Sequence, residues 1–75
     1  MDKHTALILI ESEYNRASQK YPPFASPHEG IAILEEEFIE LRNEVFTRYR
    51  TPERLINESV QVAAMALRFM VDLGK

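Results

Sequence analysis

The positions of proline and glycine constrain this chain more than any other feature. In 75 residues there are four prolines, at 22, 23, 27 and 52, and two glycines, at 30 and 74. Proline lacks the amide hydrogen and clashes with the preceding helical turn. The chain is therefore divided into three long stretches, each with helical periodicity. Residues 3–20 place Ala6, Leu7, Ile10, Tyr14 and Ala17 at spacings that gather on one helical face. Tyr21-Pro22-Pro23 ends that helix, because the residue before a proline is driven out of the α region. Ser26-Pro27-His28-Glu29 is a capping box with proline at the first helical position. From it Ile31, Leu34, Phe38, Leu41 and Val45 form an amphipathic seam, predicting a helix over 27–49. Thr51-Pro52 repeats the start signal, and Gly74 marks the end of a third helix over 52–73. The short connection at 50–52 makes the second and third helices antiparallel neighbours.

The expected fold is all-α: one domain over residues 1–75, a three-helix antiparallel arrangement completed by oligomerisation into a larger helical bundle. The third helix carries the oligomerisation argument. Thirteen of the nineteen residues from Leu55 to Leu73 are apolar, well above the three in seven that a one-sided helix needs. Its polar residues Arg54, Asn57, Gln61, Arg68 and Asp72 fall on one narrow stripe. Three helices cannot enclose one of their number, so a second copy is expected to cover the remainder, as a homodimer or homotetramer. Ala63, Ala64 and Ala66 permit close approach. A chain this short buries only about 60% of its unfolded surface. With no cysteine, neither a disulfide nor a zinc-thiolate site can supplement that core.

Charge and hydropathy exclude several classes. The net charge of −3 disfavours nucleic acid as a partner. The apolar run Ala6–Ile10 is too short for a signal-peptide core or a membrane span, so no membrane association and a cytoplasmic location are expected. No glycine-rich phosphate loop or nucleophile–base signature is present. His4 and His28 lie far apart. Arg48, Arg50 and Arg54 cluster at the second turn, where they complement a helix carboxyl end or could hold a phosphate tail. Tyr14, Phe24, Phe38 and Tyr49 read mainly as packing residues.

The carboxylates are the distinctive chemistry. Five glutamates fall between 35 and 44. Such a run is commonly a solvated face, but Glu37, Glu40 and Glu44 lie on a stripe beside the apolar seam, whereas Glu36 points away from it. Glu58 shares a face of the third helix with Leu55, Val62, Met65 and Phe69. A carboxylate there must pair, with Arg42 or Arg54 available, or bind a cation. In an antiparallel pair, Glu37 and Glu40 face Glu58 and Gln61. Three carboxylates and an amide oxygen make an all-oxygen site suited to magnesium or manganese.

Glu36-Glu37-Phe38-Ile39-Glu40 resembles the E-E-x-x-E element of the MazG-like all-α nucleoside triphosphate pyrophosphohydrolases. Glu58-Ser59-Val60-Gln61, seventeen residues after Glu40, stands where that superfamily carries E-x-x-D. The resemblance spans about residues 26–73. It implies a magnesium-dependent hydrolase that converts a nucleoside triphosphate to the monophosphate and pyrophosphate. Glu36, Glu37, Glu40 and Glu58 would be its catalytic acidic residues, and Glu37, Glu40, Glu58 and Gln61 its metal positions. Gln61 departs from the family aspartate and lowers the expected metal affinity and turnover. A noncatalytic helical oligomerisation or adaptor module of the same fold stands as the alternative.

Overall fold

A computed structural model describes all 75 residues, and the chain forms three α-helices, α1 (Lys3–Lys20), α2 (Pro27–Val45) and α3 (Pro52–Leu73). The start signals operate as helix caps. Asp2 accepts from the Thr5 amide at 2.7 Å, Ser26 Oγ from the Glu29 amide at 3.1 Å and Thr51 Oγ1 from the Arg54 amide at 3.3 Å. The returning Glu29 carboxylate accepts from the Ala25 amide at 3.4 Å, one residue before the position a capping box predicts.

The second helix is shorter than expected: it stops at Val45 rather than near Tyr49. Beyond it Phe46 and Tyr49 are largely exposed, so no packing holds the next turn. The freed carbonyls find side-chain donors instead. Thr47 Oγ1 donates to Asn43 O at 2.9 Å, and the Arg50 guanidinium donates to Val45 O at 3.1 Å.

α3 is the central element. α1 and α2 each pack on it and do not approach one another, which leaves an open cleft between them. α2 runs antiparallel to α3, with Gly30 against Phe69 and Leu73 at one end and Glu44 against Arg54 at the other. Gly30 makes a specific contribution here, because a Cβ at this position would lie 2.6 Å from Phe69 Cδ2. The small core consists of Ala17, Phe24, Ala64 and Met65, with Tyr14, Ile33, Leu34, Phe69 and Leu73 packed around it. The Cα radius of gyration, 12.8 Å, exceeds the roughly 11 Å of a compact domain of this length, as an open three-helix slab should.

Two faces differ from expectation. The α2 seam is rotated: Gly30, Ile33, Leu34, Glu37, Leu41 and Glu44 face inward, while Ile31, Phe38 and Val45 are 49%, 56% and 41% exposed. The Gly30 contact and the Glu44–Arg54 pair at the two ends set this rotation. Arg68, expected on a polar stripe, is 4% exposed. It donates to Pro22 O at 2.9 Å and lies over the Phe24 ring at 4.4 Å. Asp72 accepts from the Phe24 amide at 3.1 Å. Arg68 and Asp72 thus anchor the α1–α2 connection to α3.

Candidate metal centre

The rotation of α2 turns its acidic residues onto α3. Glu37 and Glu40 are one helical turn apart, and Glu58 meets them from α3. One carboxylate oxygen from each of the three lies within 4.8 Å of the others. Glu37 and Glu58 are half-buried and Glu40 is exposed. Oε2 of Glu37 and Oε2 of Glu58 are buried and accept no hydrogen bond. A buried, unsatisfied carboxylate oxygen is costly, and two of them converge here.

The electrostatics match that geometry. Burial is the main force raising the Glu37 carboxyl, to about 7. The charges of Glu40, Glu58 and Glu36 add to it. Burial also raises Glu58, helped by Glu40 and Glu44 and opposed by Arg54. Carboxylates crowded at this spacing hold protons when no cation offsets their charge. Arg54 is the nearest counter-charge, with its Nε 3.0 Å from Glu44 Oε1. The N–H is not directed at that oxygen, which accepts no hydrogen bond. Arg42 lies over the Phe46 ring and Arg54 is committed to Glu44.

The structure thus brings together Glu37, Glu40 and Glu58. Glu36 stands beside them, exposed, on the wall of the α1–α2 cleft. Gln61 lies near Glu13 of α1 on the cleft wall and, after the Arg16 guanidinium, helps hold the Glu13 carboxyl below its usual value. Arg16 Nε donates to Glu13 Oε1 at 2.7 Å. Glu13, Arg16, Glu44 and Arg68 border the site without having been singled out for it from sequence. The i, i+3 spacing of Glu13 and Arg16 was a legible signal. The inward turn of Arg68 was not.

The arrangement is a cluster of three carboxylates on an all-α scaffold, with the all-oxygen donors of a candidate hard-cation site, beside a cleft of about 400 Å³ between α1 and α2. Comparison with protein-family models, with curated proteins and with solved structures finds no match for this chain. No helix is long and apolar enough to cross a membrane.

Proposed function

We propose that this protein is a divalent-cation-dependent nucleoside triphosphate pyrophosphohydrolase of the MazG-like type. The observation that carries the reading is the convergence of Glu37, Glu40 and Glu58, two of them with buried carboxylate oxygens that lack any partner. These three residues would hold magnesium or manganese. A cation there supplies charge neutralisation for a phosphate tail and activation of a water for attack on phosphorus. Glu36, exposed beside them, would accept the proton that the attacking water releases. The water oxygen bonds to the α-phosphorus, the α–β bridging bond breaks, and pyrophosphate leaves. Gln61 adds no charge to the site and weakens it.

A noncatalytic helical oligomerisation or adaptor module of the same fold is the alternative. A screen of nucleoside triphosphates with magnesium and manganese, scored for pyrophosphate release, separates the two. Gln61→Asp should raise both metal affinity and turnover, and Glu58→Gln should abolish both. If the wild type and Gln61→Asp neither bind millimolar metal nor release pyrophosphate, the module reading replaces the enzyme.

A second copy of the chain would complete the core. Only seven of the 75 residues are buried, and no large side chain is fully buried, so the isolated fold is under-packed. Ile31, Phe38 and Val45 of α2, and Ile56, Ala63 and Met70 of α3, recur at seven-residue spacing on the face turned away from the cleft. Self-association through that face, as a dimer or tetramer, leaves the carboxylates accessible.

A further inference from the structure

The apolar ladders on the face turned away from the cleft have an internal symmetry that self-association alone does not require. On α2, Ile31 and Val45 stand one heptad to either side of Phe38, and on α3, Ile56 and Met70 stand one heptad to either side of Ala63. The antiparallel pairing that sets Gly30 against Phe69 and Leu73, and Glu44 against Arg54, brings Phe38 and Ala63 to nearly the same level along the hairpin. The midpoints of the two ladders therefore lie side by side. A half-turn about an axis in the plane of this face, crossing both helices at those midpoints, lays each ladder on its own reversed copy.

The charges beside the α2 ladder favour the same axis. Glu35 and Arg42 each follow a ladder residue by four, so they share its outer edge. Both are exposed and neither enters an ion pair within the chain; Arg42 lies over the Phe46 ring. Reversal about Phe38 brings Glu35 of one copy to within about one residue's rise of the partner's Arg42. Symmetry repeats the pair on the other side of the axis. A two-fold axis running along the helices would instead lay α2 on the partner's α3. The outward face of α3 carries Ser59 and Ala66 around Ala63, and no charge. Charges flanking an apolar seam set orientation and register.

The exposed area has the size of one such contact. The chain of 8.7 kDa has 5671 Å² of accessible surface, roughly 900 Å² more than a compact monomer of that mass. A standard interface covers roughly 800 Å² of each partner.

We infer that a second copy of the chain covers this face in an antiparallel two-fold arrangement, α2 along the partner's α2 and α3 along the partner's α3, in a register fixed by Glu35–Arg42 ion pairs on both sides of the axis. The inference rests on the self-association reading and supplies its geometry. The cleft and the carboxylates stay on the outer faces of the assembly.

Because the chain has no cysteine, introduced cysteines report the arrangement directly. Light scattering at micromolar concentration should give a dimer or a multiple of it. With a short bismaleimide, Ala63→Cys should link to its own copy. Ile56→Cys and Met70→Cys should each link poorly alone and efficiently to one another when co-expressed. Glu35→Arg and Arg42→Glu each set like charges opposite one another on both sides of the axis, and each should weaken the dimer about tenfold. The double exchange Glu35→Arg/Arg42→Glu should restore it. If a cysteine variant proves unfolded by circular dichroism, the charge exchange at its two exposed positions still decides. A dimer in which Ile56→Cys links efficiently to itself, or one indifferent to both single reversals, overturns this arrangement and leaves self-association standing. A wild-type monomer overturns both.

Discussion

Proton and metal should compete for Glu37, with a pH dependence whose direction and size follow from the site. Its carboxyl titrates near 7 in the folded protein, against 4.5 for the ordinary group. Between these values the folded state binds the extra proton, so this group's contribution to stability is complete below about pH 4.5 and is lost as pH rises toward 7. The shift at full strength corresponds to about 3 kcal/mol. Glu37 is only half-buried, and solvent screening brings the expected loss to about 1 kcal/mol. For a domain this small, that is about 4–8 °C in melting temperature. A cation requires the deprotonated carboxylate, so its apparent affinity should rise about tenfold between pH 6 and pH 8 for a group titrating near 7. Metal-free stability thus falls over the same pH range in which metal-induced stabilisation grows. Thermal melts at pH 5.5 to 8.5, with and without magnesium or manganese, measure both trends, and calorimetry gives the affinities. Glu37→Gln should flatten the metal-free profile and abolish the metal response. An equal metal-induced rise at pH 6 and pH 8, or none at either, would refute the placement of Glu37 in a cation site.

Three further outcomes test the scaffold. Gly30→Ala adds a Cβ 2.6 Å from Phe69 Cδ2 and 3.2 Å from Leu73 Cδ1. Overpacking at about 1–3 kcal/mol outweighs a helix-propensity gain of about 1 kcal/mol, so urea unfolding should show a net loss of about 1 kcal/mol; a more stable variant would contradict the close α2–α3 approach. Ser26→Ala removes the acceptor of the Glu29 amide and should cost about 1 kcal/mol, whereas an unchanged denaturation midpoint and slope would show the cap to be inconsequential. Phe38→Asp and Ala63→Arg place charge on the apolar face and should yield monomers or aggregate, and a wild-type monomer at micromolar concentration by light scattering would dispose of self-association.

Breaker positions and local capping chemistry determined the number of helices, the ends of α1 and α3 and the start of α2, because those choices are made within a few residues. Ser26 and Thr51 cap their helices as their neighbours in sequence dictate. The candidate trio was also legible, since an i, i+3 pair facing one carboxylate across an antiparallel hairpin follows from helical geometry. Tertiary structure decided what the local pattern left open. Ile31, Phe38 and Val45 satisfy the helical period as well as the inward residues do. The contact of Gly30 with Phe69 and Leu73, and the pairing of Glu44 with Arg54, chose the rotation that turns the carboxylates onto α3. The α2 terminus at Val45 depended on whether α3 offered the next turn a surface. Arg68 turned inward because its partners Pro22 and Phe24, separated from it by more than forty residues in sequence, come within reach only once the exit of α1 lies along α3.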